Sequence, residues 1–136
     1  LVFRPEKGNV AFVSAIDGWG FRTEQFAAIY AKKLGCSAAA LNRALWGDYY
    51  FHPKLKKIVG RKAAGGKLRP MFVQLALDPV WQMYAASGAH ELVQTHAPVS
   101  KSLAEMAAAL NVKMAARDLN HGNKHVALQA VLRAWL

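Results

Sequence analysis

The sequence is short of acid, of cysteine and of long apolar runs. Only 8 Asp and Glu oppose 18 Lys and Arg, giving a formal charge of +10 at pH 7 over 136 residues. That imbalance favours a polyanionic partner such as nucleic acid, although the sum by itself names none. The single cysteine, Cys36, excludes a disulfide framework and a cysteine-based zinc site and fits a reducing compartment. No stretch approaches about 18 uninterrupted apolar residues, so no transmembrane helix is expected. The first residues do not place a basic region ahead of an apolar one, so no secretory signal is expected either. The chain opens on Leu1-Val2-Phe3 rather than Met and is expected to be a piece of something longer. Against these absences stand 54% hydrophobic and 19% charged residues, which exclude a disordered tail. At roughly 100–200 residues per domain, the length allows one domain or a domain plus a fragment.

The excess charge is concentrated. Lys54, Lys56, Lys57, Arg61, Lys62, Lys67 and Arg69 all lie between Pro53 and Arg69, and no acid occurs between Asp48 and Asp78. Taking those seven from the 18 bases leaves 11 against 8 acids, a near-ordinary balance. Gly60, Gly65 and Gly66 fall in the same segment, which therefore reads as a turn or exposed loop. It is either a solvated loop that keeps the chain soluble or a loop that contacts the phosphates of RNA. No RNP-type aromatic pattern, helix-turn-helix signature or zinc finger accompanies it, so no base-reading device is assigned.

Periodicity outlines the elements. Asn9 to Ala15 is a short apolar run that predicts a buried strand, emptying into a tight loop over Ile16-Asp17-Gly18-Trp19-Gly20-Phe21. Thr23 is a suitable N-cap for a helix from Glu24 to about Leu34, with Phe26, Ile29, Tyr30 and Leu34 on one face and Gly35 as its left-handed stop. Ser37 caps a second helix through Leu41 and Leu45. Tyr49-Tyr50-Phe51 and Leu55 to Val59 predict a hairpin around His52-Pro53-Lys54, followed by a loop over 60–69. Phe72, Leu75, Ala76, Val80, Met83 and Tyr84 hold one helical phase across Pro79, predicting a kinked or restarted helix. A short helix around Glu91–Thr95 is possible on the pattern, and Ser100 or Ser102 caps another through Leu110, ended by Asn111. Residues 111–123 read as connector and 124–136 as a final helix with no stop signal, as though the chain were cut inside it. With twenty-five alanines raising helix propensity, the class is helix-rich α+β.

The chemistry-bearing residues form no complete catalytic site. His121 and His125 are four apart, but no HExxH-type acid follows and a third ligand would have to come from afar, so no metal site is assigned. Cys36 follows the C-terminal end of a predicted helix, a poor position for a nucleophile, and reads as packing. The clusters Trp46/Tyr49/Tyr50 and Trp81/Tyr84 read as core. No hydroxyl stands on a nucleophile elbow. No GxxxxGK[ST] phosphate loop, DxxG or NKxD is read in the sequence.

Four stretches together resemble a known group. They are Gly8-Asn9-Val10-Ala11-Phe12 through Gly18-Trp19-Gly20-Phe21, then Tyr30-Ala31-Lys32-Lys33-Leu34-Gly35, then Leu45-Trp46-Gly47-Asp48-Tyr49-Tyr50-Phe51-His52-Pro53, and Phe72-Val73-Gln74-Leu75-Ala76-Leu77-Asp78-Pro79. In this order and spacing they resemble the large translational GTPases of the elongation factor two group, over essentially the whole chain and more loosely between about 85 and 123. Ser14-Ala15-Ile16-Asp17-Gly18-Trp19-Gly20-Phe21 is most similar to the branch of elongation-factor-like GTPases of ribosome assembly. The elongation factor itself carries a Ser-Gly-Leu-His-Gly-Trp-Ala-Phe type of stretch there, from which this sequence departs.

The resemblance implies a location within a larger protein. Residues 1–21 would hold the last strand and guanine-side loop of a P-loop GTPase domain, with Ser14, Ala15 and Ile16 beside the base. Residues 22–122 would be an inserted α/β subdomain containing the hairpin, and 123–136 the return into the final helix of the GTPase domain. The parent would bind GTP and Mg²⁺, hydrolyse GTP on the large ribosomal subunit in the cytoplasm, and help release an anti-association initiation factor with an SBDS-type cofactor. The segment alone, lacking phosphate loop and switches, would neither hold GTP tightly nor hydrolyse it. The basic residues 54–69 would then face rRNA or ribosomal protein. An elongation factor two-type translocation GTPase and a stand-alone basic RNA-binding module are the alternatives.

Overall fold

The computed structural model describes residues 1–88 and 101–136. They divide into two compact units, one formed by Leu1–Phe12 with Phe21–Leu77, the other by Val13–Gly20 with Asp78–Leu136. The helix proposed around Glu91–Thr95 and the Ser100 cap lie outside the described residues.

In the first unit a single 3₁₀ turn, Pro5–Lys7, precedes helices α1 (Thr23–Leu34) and α2 (Ala38–Ala44). α1 begins one residue earlier than the sequence reading places it, and Thr23 is not its cap. The Arg22 N–H is taken by Gln25 Oε1 at 2.7 Å, while the buried Thr23 hydroxyl donates to the Pro5 carbonyl at 3.0 Å. A threonine that can satisfy a buried carbonyl is worth more there than at the solvent-facing cap. Gly35 ends the helix at φ 67°, as expected. Ser37 caps α2 by accepting from the Ala40 N–H at 3.2 Å.

The hairpin is present, with β3 (Tyr50–His52) antiparallel to β4 (Lys57–Val59) and Tyr50 opposite Val59. Leu55, expected on the second strand, is in the turn instead, where its N–H is accepted by His52 Nδ1 at 3.3 Å. The 60–69 segment is not loop throughout: Arg61–Ala64 closes a helical turn, α3, whose Ala64 is buried and whose left-handed stop is Gly65. Phe12, Phe21, Phe26, Trp46 and Phe72 stack around one centre, with Phe12–Phe72 and Phe21–Phe26 ring centroids each 4.7 Å apart. Fully covered Leu41, Leu45 and Met71 complete this core. Trp46 and Tyr49 are 42% and 44% exposed, so only Tyr50 of that expected cluster is buried. Trp46 nonetheless meets Phe72 edge-to-face with ring centroids 5.3 Å apart, using one part of a large side chain for packing and leaving the rest wet.

The phase-continuous segment from Phe72 to Tyr84 is helical, as the periodicity predicts. Its ladder widens to a π-helix over Val73–Leu77 before α4 (Asp78–Ser87). Pro79 lacks an N–H and crowds the preceding turn, and a widened turn immediately ahead of it accommodates both effects.

In the second unit α4, α5 (Leu103–Ala109), α6 (Ala116–Leu119) and α7 (Lys124–Trp135) surround a core of Val80, Met83, Tyr84, Leu103, Ala107, Leu128, Val131 and Leu132. Ser102 and Glu105 form a reciprocal capping box at the start of α5, at 3.2 and 2.7 Å. The short α6 lies in a stretch expected to be connector, and no buried residue marks it. Trp81, also expected in the core, is 40% exposed.

The remaining strands correct the N-terminal reading. β1 is only Phe12–Ser14, and the expected loop contains a second strand, β2 (Trp19–Phe21), which pairs with β1. Gly18 and Gly20 suggest a breaker by composition, yet Gly18 at φ +68° is what lets the chain reverse.

Candidate functional site

The turn between β1 and β2 carries Ser14, Ala15 and Ile16. It is closed by the Gly18 N–H donating to the Ser14 carbonyl at 2.8 Å, and the Asp17 N–H reaches Ser14 Oγ at 3.3 Å. Ala15 is exposed and Ile16 is 83% exposed, an unusual position for an isoleucine. The amides of Ala15 and Ile16 find no protein acceptor among the described residues. The turn therefore has two adjacent backbone donors without an acceptor among the described residues, beside an exposed apolar side chain.

What the sequence reading misses is the residue that holds this turn. Asp17 is 4% exposed, which a carboxylate tolerates only with partners. His125 Nε2, near the start of α7, lies 2.6 Å from Asp17 Oδ1. The Tyr84 hydroxyl, from α4, donates to Asp17 Oδ2, and in turn accepts from Trp19 Nε1 at 2.9 Å. Arg133 Nε, two turns further along α7, donates to the Asp17 backbone carbonyl at 3.3 Å. Burial first, and then its bond to Asp17, push the Tyr84 phenol above its ordinary range. No local signal announces this network, because Tyr84 and Arg133 lie 67 and 116 residues from Asp17 in sequence.

Asp17-Gly18-Trp19-Gly20 also spells DxxG, a string the sequence reading does not credit. Its Asp is enclosed by His125 and Tyr84, so the string serves the turn and offers no open carboxylate to a metal ion or phosphate. His121, the other candidate ligand, is exposed, and its Nδ1 accepts from the Asn123 N–H at 3.0 Å. Among the described residues no group of three or more His, Cys, Asp or Glu is placed to hold a metal.

The basic residues form a second feature, in the first unit. Lys54 and Lys56 sit in the β3–β4 turn, Lys57 on β4, Arg61 and Lys62 on α3, and Lys67 just beyond it, all exposed. Arg69 departs from that set: it is half-buried, with Nη1 enclosed. Arg61 reaches Asp48 at 3.5 Å, and hydrogen bonding with Tyr50, then the Asp48 charge, raise its pKa further above the usual guanidinium value. A cavity of about 250 Å³ is lined by Leu34, Cys36, Phe51, Lys56, Lys57 and Ile58, with Cys36 half-buried in its wall.

No protein-family profile matches the chain. It is 42% identical over all 136 residues to Elongation factor-like GTPase 1 of Homo sapiens, 11% of whose length it covers. It is 39% identical over 137 aligned positions to Ribosome assembly protein 1 of Schizosaccharomyces pombe and 38% over 135 to that of Saccharomyces cerevisiae, covering 13% and 12% of them. Its relatives include an elongation factor-like GTPase and ribosome assembly proteins. The chain spans only about an eighth or a ninth of the length of these relatives. The aligned region spans the whole chain. Among the described residues no helix is long and apolar enough to cross a membrane.

Proposed function

We propose that the chain is the guanine-side end of a GTPase domain together with its inserted subdomain, within a parent that acts in ribosome assembly. The observation that carries this reading is similarity along the entire chain to elongation factor-like GTPases and ribosome assembly proteins. Residues 1–21 supply the last strand and its turn, 22–122 the insert, and 123–136 the returning helix. Ser14, Ala15 and Ile16 lie beside the guanine base. There the free amides of Ala15 and Ile16 donate to its O6, and the small Ala15 lets the base approach.

GTP fits this turn in one respect: two adjacent amides suit a carbonyl oxygen. Mg²⁺ does not fit it, because the turn's one acid, Asp17, is buried against His125 and Tyr84. The phosphate-binding and hydrolytic groups belong to the rest of the parent, and this segment contributes base contact and orientation. The exposed cations Lys54, Lys56, Lys57, Arg61, Lys62 and Lys67 contact the phosphates of the large subunit. The parent works in the cytoplasm, with an SBDS-type cofactor, to release an anti-association initiation factor.

The test uses the full-length parent. GTP hydrolysis stimulated by large subunits, with release of the bound initiation factor, is expected for the native protein. An Ala15→Arg variant is expected to weaken GTP binding by about tenfold or more, since a bulky cation would occupy the base's approach. Upstream coding sequence lacking GxxxxGK[ST] and NKxD would overturn the reading in favour of a stand-alone basic module.

A further inference from the structure

Asp17 has more partners than a turn needs for closure. A two-strand turn of this length is already closed by the Gly18 N–H on the Ser14 carbonyl. Asp17 adds three connections that leave the turn: Oδ1 to His125, Oδ2 to Tyr84, and its own carbonyl to Arg133. These tie the same five-residue turn to two separate helices, α4 and α7. Tyr84 is itself fixed from a second side by Trp19 Nε1 on β2, so the strand leaving the turn is held as well. Ala15 and Ile16 have no comparable restraint: they are exposed, with amides that no group among the described residues accepts.

We infer that Asp17, with Tyr84 and His125, is a positioning device that fixes the Ala15 and Ile16 amides in the orientation the guanine base requires. None of these three side chains touches the base on this account; they act through the backbone of the turn. The inference rests on the reading that the turn meets guanine. Its physical basis is population: a ligand that recognises one conformation of a turn loses affinity in proportion to the time the turn spends elsewhere. An unanchored loop of this size, with a glycine and an exposed isoleucine, would sample several conformations. Gly18 adds to the restraint, because the guanidinium of Arg133 packs where a Cβ would stand.

The experiment measures GTP affinity and turnover in the full-length parent. Tyr84→Phe and His125→Ala each remove one anchor from a helix, distant from the base. Each is expected to weaken GTP binding about threefold to fivefold, and Asp17→Ala about tenfold, with kcat at saturating GTP within about twofold of the native value. Asp17→Asn keeps the shape and an oxygen that accepts from the Tyr84 hydroxyl, and is expected to stay within about twofold in affinity. A merely structural role would instead lower the thermal midpoint and the active fraction, hence kcat, and leave the GTP affinity of the folded molecules unchanged. That result overturns the inference. So does an Asp17→Asn loss as large as that of Asp17→Ala. Ala15→Arg separates the two levels of argument. If it weakens GTP binding while the anchor variants do not, the turn meets guanine but the anchors do not position it. If Ala15→Arg has no effect, the guanine-side reading fails first.

Discussion

The β1–β2 turn and the basic segment are both short, polar in part and exposed at their tips, yet they are built in opposite ways. The turn has one charge, Asp17, and encloses it with partners from α4 and α7. The basic segment has seven charges and leaves six of them in solvent, with Arg61 reaching Asp48 at a loose 3.5 Å. A buried, partnered charge fixes a conformation, because moving it would strand a carboxylate in an apolar place. Exposed charges fix very little and remain available to an external polyanion. Changes in the turn should therefore act on stability and geometry, and changes in the basic segment on association alone.

The largest effect is expected where nothing structural is at stake. Replacing Lys54, Lys56, Lys57, Arg61 and Lys62 with Ala in the full-length parent should lower the log–log salt slope of large-subunit binding by about 3.5 to 4.5, at about 0.7–0.9 per lost phosphate contact. Urea denaturation of the same variant should differ from native by no more than about 0.5 kcal/mol. An unchanged salt slope would make the segment a solvated surface and remove half of the contrast.

Next comes Asp17→Ala, expected to cost about 2–3 kcal/mol in urea denaturation, as a buried hydrogen-bonded carboxylate and its partners' bonds are lost together. A cost under about 0.5 kcal/mol would place Asp17 with the surface charges and erase the distinction. This pair of experiments also marks what could be read from sequence. The basic segment is visible because charge is a local count, and Gly35, Ser37 and Ser102 are visible because caps act within one helical turn. The persistent helical phase from Phe72 to Tyr84 shows through Pro79 for the same reason. Asp17 is invisible because its partners, Tyr84, His125 and Arg133, are brought to it only by the fold of the second unit. β2 is hidden by Gly20 within it and Gly18 ahead of it, and Thr23 passes for a cap because the Pro5 carbonyl it serves is not adjacent in sequence. Trp46 and Trp81 mislead in the other direction, since aromatic content does not say how much of a large ring is covered.

Gly18→Ala should fall below Asp17→Ala, at about 1–2 kcal/mol. A Cβ at φ +68° carries roughly 1 kcal/mol of backbone strain. It would also press on the Arg133 guanidinium, which can swing away only by giving up the Asp17 carbonyl. Combining it with Arg133→Ala separates the two terms. If backbone strain is the whole effect, the two changes add; if the guanidinium is half of it, the double variant costs less than the sum.

The smallest effect tests the turn's anchoring through pH. Burial and the bond to Asp17 raise the folded-state pKa of Tyr84 above the ordinary 10.0. Below that ordinary value the phenol is protonated both folded and unfolded, and its contribution is fully present. As pH rises past it, the unfolded phenol ionises while the folded one resists, so stability drains away until pH passes the folded value. Tyr84→Phe should cost about 1 kcal/mol near neutral pH, below the usual worth of a hydrogen bond to a carboxylate because Asp17 keeps His125 beside it. The difference between native and variant should then shrink above about pH 10, because only the native chain has this phenol to lose. Tyr30, whose phenol is also raised by burial, titrates in both chains and cancels in the comparison. A native-to-variant difference that stays constant through the alkaline range would mean the Tyr84 hydroxyl is not held in the folded turn, and the anchored half of the molecule would be no better fixed than its basic half.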